Sequence, residues 1–398
     1  MPEQSDVLVS GGGIAGLTAA AVFGAMGYDV ICVDPAPPIT SRDASGSDLR
    51  TTAILQPAKA LLEKFGLWQC LAPHAMPLRV MRIVDAGGEA SEPRVVREFR
   101  ADEISDQPFG WNLPNWLLRR EFLSQFADLP SVSFRPGVST NSLFTRSGEA
   151  RVGLSDGSKV STRLVIAADG RNSFTREAAG IAITKRHYGQ KALAFAVTHT
   201  LPHESVSTEI HRSGGPFTLV PLPDHEGKPS SAVVWMETGP KAQELHALSD
   251  DAFEVAVNER ACGLMGEIHL ATGRALWPIT SQHAETMQAE RVALMAEAAH
   301  VVPPIGAQGL NMSLADLRCL TELAEKYPDD LGCADMLTAY DKARMSDIRL
   351  RVQGIDLLNR ASMADARALR DVRAAGLSAL YALPQIRHML MRMGLGVA

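Results

Sequence analysis

The stretch Val7–Ala20, VLVSGGGIAGLTAA, decides the fold. Asp6 to Ser10 read as a short buried strand, glycines follow at once, and Ile14 to Met26 is alanine-rich with the apolar spacing of a packed helix. Gly11, Gly13 and Gly16 satisfy G-x-G-x-x-G. In a strand–loop–helix unit the first glycine permits the turn, the second lets backbone approach a pyrophosphate, and the third lets helix and strand pack closely. The helix N-terminus then faces the anion.

Working outward, Tyr28 to Val33 (YDVICV) gives a second strand ending at Asp34, where a carboxylate accepts hydrogen bonds from ribose hydroxyls. A glycine motif alone is common. The agreement of strand, helix, second strand and acid predicts a bound dinucleotide, without deciding between NAD and FAD.

A chain of 398 residues exceeds the length at which one core stops growing, which predicts two domains and a terminal extension. With 46% hydrophobic and 21% charged residues it reads as an ordinary globular protein. A formal charge of -6 argues against a general polyanion binder, so nucleic acid is not an expected partner. Cys32, Cys70, Cys262, Cys319 and Cys333 are scattered without a CxxC pair, and the histidines show no ligand spacing, so neither disulfides nor a metal are expected. The N-terminus carries no basic-then-apolar leader, and no stretch reaches the ~18 apolar residues of a membrane span, which predicts a cytoplasmic protein. The closing stretch mixes Leu and Met with Arg370, Arg373, Arg387 and Arg392. It reads either as a helix packed on the core or as a basic amphipathic surface for the inner face of a membrane or a biosynthetic complex.

Two further segments have the form of strand ends that carry ligands. Arg163 to Ala168 (RLVIAA) is an apolar strand followed by Asp169, Gly170, Arg171, Asn172, Ser173 and Arg176. That set suits phosphate or ribityl contacts, and equally a turn in which Asn or Ser caps the next helix. Arg291 to Met295 leads into AEAAHVVPPIGAQGLNMSLADLRCLTELAEKY (296–327), a Pro- and Gly-rich loop with a helix starting near Leu310. N–H groups around Gly309 and Leu310 are free to donate there, and the helix dipole favours a negative charge such as the N1–C2=O edge of reduced flavin. A plain capped helix after a surface loop is the simpler reading of that segment alone.

Together, the N-terminal glycines, ADGRNS (168–173) and AEAAHVVPPIGAQGLN (296–311) resemble the three fingerprints of the single-component FAD-dependent aromatic hydroxylases, the class of p-hydroxybenzoate hydroxylase. The resemblance spans nearly the whole chain. Within that class, DLRTTAILQPAKALLEKFGLW (48–68), HYGQKALAF (187–195), GGPFTLVPLP (214–223), AVVWME (232–237) and PQIRHMLMRMGLG (384–396) resemble the UbiH/UbiF/VisC branch, which hydroxylates polyprenyl-phenol precursors of ubiquinone.

The resemblance implies that Gly11, Gly13 and Gly16 hold the FAD pyrophosphate, Asp34 the adenosine ribose, and Arg50 the phosphates. It implies that Asp169 and Gly170 serve FAD and nicotinamide, and that Pro304, Gly306, Gln308, Gly309, Leu310 and Asn311 line the isoalloxazine. Two departures stand out. Ala296-Glu297 replaces the usual Gly-Asp, so the carboxylate meeting the ribityl hydroxyls is one methylene longer. In WNLPNWLLRR (111–120), Pro114-Asn115 replaces an acid or glutamine followed by Asn or Arg, and Asn115 is carried over as a cofactor contact.

The resemblance further implies an α/β fold: a Rossmann-like FAD-binding domain in three segments (1–75, 105–182, 272–335), an inserted β-rich substrate domain (76–104, 183–271) and C-terminal helices (336–398). It implies hydroxylation of a phenolic, prenylated substrate, with NAD(P)H as transient co-substrate and O2 activated at the flavin C4a position. Phe195, Phe217, Leu219 and Trp235 are candidate pocket walls, though each suits sheet core as well, and His300 is either a proton relay or a structural histidine. An FAD-dependent reductase of an isoprenoid substrate, without oxygen insertion, and a non-catalytic flavoprotein scaffold in a lipid-synthesis assembly are the alternatives.

Overall fold

The computed structural model describes residues 2–87, 92–212, 214–363, 371, 375–376 and 381–396. Its opening strand runs Glu3–Ser10, with the last four residues buried, so they form a continuous apolar run rather than an alternation. The helix Ile14–Ala25 is buried from Ala15 through Gly24, the position an alanine-rich helix without a polar face must occupy.

Five strands of an eight-stranded sheet run parallel in the order Val292–Leu294, Lys159–Ala167, Glu3–Ser10, Val30–Asp34, Val132–Pro136. Ser10 pairs with Ala167, and Ala167 with Leu294. Three adjacent strands therefore end level, and the glycine loop, the ADG turn and the Ala296-Glu297 turn all leave from one sheet edge. The crevice beyond the carboxyl ends of parallel strands is where open α/β sheets bind ligands.

A nine-stranded, mostly antiparallel sheet forms the second layer, built around Ile183–His199, Pro216–His225, Lys228–Thr238 and Ala275–Ala284. The strand Ala275–Ala284 covers the second edge of Ile183–His199, which would otherwise present unpaired N–H and C=O groups. This layer thus continues past the boundary expected at 272. Helices Gly239–Ala247 and Asp250–Arg260 cover one face, where Phe195, Phe217, Leu219 and Trp235 pack with Phe253. Those four side chains are core. The opposite face carries Ala192, Val234, Met236, Trp277 and Ile279, clustered with Ile305 and Ile355.

A three-stranded sheet of Thr51–Leu55, Gly110–Pro114 and Met76–Leu78 links the layers. The helix Gln308–Lys326 packs between the glycine-loop helix and the long helix Ala334–Ser362, whose Tyr340 hydroxyl donates to Leu294 O at 2.7 Å. The terminal helix Pro384–Leu395 buries Met391 and Leu395 but exposes Ile386, Met389, Leu390 and Met393, a stripe at i, i+3, i+4, i+7. Arg387 is fixed to Glu103 at 2.5 Å, while Arg370 and Arg373 lie outside the described residues. Among the described residues, no helix is long and apolar enough to cross a membrane.

Candidate functional site

The three glycines of the opening motif have different reasons to be glycine. Gly11 has φ +111°, and a Cβ on it would lie 2.3 Å from Ala168 O. A Cβ on Gly16 would lie 1.9 Å from Gly11 O. Both are therefore fixed by chain-on-chain contact: the loop presses on the ADG turn, and the helix presses on the loop. At Gly13, φ -68° and ψ 175° suit any residue, and a Cβ would meet nothing within 4 Å. The helix it caps has no side-chain cap and no acid in its first turn. Bare backbone, helix N–H groups and open space together fit a pyrophosphate.

Asp34 Oδ2 accepts from Gly12 N at 2.6 Å and Oδ1 from Ala36 N at 2.9 Å. Each oxygen keeps a second lone pair, so the carboxylate orders the glycine loop and still has capacity for a ribose hydroxyl.

In the ADG turn the Asp169 carboxylate points back into its own segment, accepting from the Ser173 hydroxyl and from Thr175 N and Oγ1, both at 2.9 Å. What the turn presents outward is Gly170, at φ +83° with nothing within 4 Å of a Cβ, and Arg171. Arg171 Nε and Nη2 reach the two oxygens of Glu297 at 3.3 and 3.4 Å. Arg176, only 2% exposed, donates to Arg171 O and Ala298 O, each at 3.1 Å, and so staples the ADG turn to the Ala296-Glu297 turn.

Ala296 sits at φ +56°, the left-handed region that a Cβ disfavours. The departure noted in the sequence is thus a backbone position suited to glycine. A left-handed non-glycine residue costs about 1–2 kcal/mol, and a new glycine gives back about 0.4–1 kcal/mol through the unfolded chain. Ala296→Gly is therefore expected to stabilise the apoprotein by up to about 1 kcal/mol, a calorimetric Tm rise of about 2 °C. An unchanged or lowered Tm would show that the surroundings already compensate for the Cβ.

Arg50 and Asn115 meet on a residue that sequence reasoning missed, Asp48. Its carboxylate accepts from Arg50 Nε at 2.7 Å and Nη2 at 2.8 Å, Asn115 Nδ2 at 2.9 Å and Arg119 Nη2 at 3.2 Å. Burial would push the Asp48 carboxyl up, but Arg50, Asn115 and Arg119 outweigh it and hold it at about 2. Asn115 also accepts from Thr52 Oγ1 and donates its N–H to Arg50 O, at 2.8 and 2.9 Å. The Arg50 guanidinium stands 5.5 Å from the centre of the Trp277 ring, on the face of the larger sheet away from its two covering helices.

The loop before Gln308–Lys326 turns through Gly306 (φ +64°) and Ala307 (φ +55°). Pro304, Gly306 and Gly309 are exposed, Leu310 packs against the core, and a Cβ on Gly309 would meet nothing within 4 Å. Gln308 and Asn311 behave differently from the expectation that they line a ring. Gln308 Nε2 donates to Gly306 O and Gly394 O at 2.8 and 3.1 Å, and its Oε1 accepts from Arg351 Nη1 at 2.5 Å. Asn311 Oδ1 accepts from Leu55 N at 2.9 Å, while its Nδ2 donates to Ala53 O and Ala307 O, each at 2.7 Å. Backbone groups satisfy such amides, so both side chains fasten the loop from behind. His300 is buried, with its Nε2 2.6 Å from Asp316 Oδ2.

Residues 4–353 match the family described as FAD binding domain. The chain is 30% identical over 397 residues to ubiquinone hydroxylase UbiL of Rhodospirillum rubrum, covering 99% of this chain and 90% of that protein. It is 25% identical to 3-demethoxyubiquinol 3-hydroxylase of Escherichia coli, covering 99% of each. Among solved structures, p-nitrophenol 4-monooxygenase PnpA of Pseudomonas putida superposes with a TM-score of 0.80 at 18% identity, covering 99% of both chains, which shows a shared fold.

Proposed function

The chain belongs to the FAD binding domain family and is an FAD-dependent monooxygenase, and from that premise we propose that its substrate is a prenylated phenol, an intermediate of ubiquinone biosynthesis. The observation that carries this reading is the likeness, along almost the whole chain, to a ubiquinone hydroxylase and to a 3-demethoxyubiquinol 3-hydroxylase. FAD, once reduced by NAD(P)H, supplies the activation of O2 and the transfer of one oxygen atom to the ring.

The protein's own part is holding, orienting and drying. Gly11, Gly13 and Gly16 with their helix N-terminus would hold the pyrophosphate, Asp34 the ribose, and the Nη1 edge of Arg50 a phosphate. Asp169 and Gly170 with Glu297 would hold the ribityl end, Asp169 by shaping the turn. The open backbone at Pro304, Gly309 and Leu310 would meet the flavin ring, where the helix dipole favours negative charge. Asn115 acts through Asp48, and Gln308 and Asn311 through the loop they fasten. Val234 and Trp277, half-buried on the face of the larger sheet away from its two covering helices, would give the phenol an apolar wall that excludes water, backed by the buried Met236 and Ile279. In this division the cofactor layer comprises 1–75, 105–182 and about 285–335, and the substrate layer 76–104 and 183–284. The exposed apolar stripe of the terminal helix, with Arg392 beside it, supports contact with a membrane surface, where a prenylated substrate resides.

The test is single-turnover chemistry with isotopically labelled O2. Holoprotein given NADH or NADPH and a short-chain prenyl phenol is expected to oxidise the nucleotide faster than without phenol and to place one labelled atom on the ring. Unlabelled product, or no stimulation by any prenyl phenol, defeats the reading. Complementation of ubiquinone-deficient strains then identifies the ring position.

A further inference from the structure

Behind the proposed flavin end runs a continuous chain of polar side chains, buried at Asp316 and Arg344 and half-buried at Asp347 and Arg351, that ends on Gln308, and whose centre none of the roles above uses. Asp316 Oδ2 accepts from His300 Nε2 at 2.6 Å and from Ala296 N at 3.3 Å. Its Oδ1 accepts from Arg344 Nε at 2.7 Å. Arg344 Nη1 donates to Asp347 at 2.8 Å, and Asp347 accepts from Arg351 Nε at 2.8 Å. Arg351 Nη1 donates to Gln308 Oε1 at 2.5 Å, and Gln308 Nε2 donates to Gly306 O at 2.8 Å. The chain begins on the backbone of the Ala296-Glu297 turn and ends on the backbone of the Gly306–Gly309 loop.

We propose that Asp316 is a positioning residue for the flavin end of the cofactor, fixing through this chain the spacing of the two backbone segments that receive it. The inference rests on the FAD assignment. Its first ground is cost: Asp316 is 0% exposed, and burying ions carries a penalty of several kcal/mol each, which an apolar core of the same volume would avoid. The second ground is strain. Among the described residues only seven non-glycine residues have positive φ, and two of them, Ala296 and Ala307, stand at the two ends of this chain. Such conformations persist where surrounding contacts over-determine them. Burial would push the Asp316 carboxyl up, but His300 and Arg344 outweigh it and hold it below the usual range, so it stays an acceptor for all three donors.

The test uses the full chain with Asp316→Asn at the centre and Arg351→Met at the far, partly exposed end, each titrated as apoprotein with FAD by flavin fluorescence. Asp316→Asn is expected to weaken FAD binding about tenfold or more, and Arg351→Met about threefold to tenfold. Both are expected to change the visible circular dichroism of the bound flavin in the same sense, with the apoprotein Tm of Arg351→Met within about 2 °C of the unaltered chain. Unaltered FAD Kd and dichroism in both variants overturn the proposal. If Asp316→Asn does not fold, the same result from Arg351→Met alone overturns it. An unaltered chain that takes up no FAD overturns the cofactor assignment, and this inference with it.

Discussion

Gly13→Ala is expected to lower FAD affinity about 100-fold while leaving the apoprotein's unfolding temperature within about 2 °C of the unaltered chain. The added methyl meets nothing within 4 Å, and the backbone already has φ -68° and ψ 175°, which alanine adopts without strain. Its cost therefore falls on the ligand. A methyl forced into a close contact costs about 1–3 kcal/mol, and the upper part of that range is the 100-fold loss. Gly16→Ala should do the opposite: its Cβ would lie 1.9 Å from Gly11 O, so helix and loop must separate and the apoprotein itself loses about 3 kcal/mol or more. Calorimetry of the two apoproteins and fluorescence titration with FAD distinguish the cases. A Gly13→Ala chain with unaltered Tm and unaltered FAD Kd would remove the pyrophosphate from this loop.

That contrast also marks how far the sequence reaches. The opening motif is legible because its logic is local: strand, turn and helix follow within a score of residues, and the residue types at Gly11 and Gly16 report close contacts whose partners the sequence does not name. The two faces of ALAFAV and SAVVWM are both apolar, so alternation separates Phe195 and Trp235 from Ala192 and Val234 without saying which set the helices cover. Only the placement of Gly239–Ala247 and Asp250–Arg260 decides it. Gln308 and Asn311 were legible as residues of the loop-to-helix junction but not in direction, because an amide serves a ligand or a backbone carbonyl equally well. Asp169 likewise satisfies its own turn. Asp48 and Asp316 left no periodic trace. Apart from Arg50, two residues from Asp48, the partners that complete these sites, Asn115 and Arg119 for one and His300 and Arg344 for the other, lie far along the chain and meet them only in the folded protein.

Asp48→Asn is expected to cost about 2–3 kcal/mol at pH 7, because Arg50 and Arg119 lose the charged acceptor they share while an amide oxygen remains for a neutral bond. The same residue sets a pH dependence. Its carboxyl is held at about 2 in the folded chain against an ordinary 3.8, so between those values the unfolded state binds more protons and stability rises with pH. At 1.36 kcal/mol per unit the contribution is about 2 kcal/mol, complete above about pH 5, about half gone at pH 3 and lost as pH falls through 2. Urea unfolding of both chains between pH 7 and pH 3 should therefore show the gap between them closing by about 1 kcal/mol. A gap that stays constant over that range would mean that the ion pair does not hold Asp48 ionised. The consequence for the cofactor follows from geometry. Because Asp48 engages Nε and Nη2, the edge of Arg50 left for a phosphate is Nη1, and the orientation of that edge is fixed by a bidentate contact that a lysine at position 50 cannot reproduce.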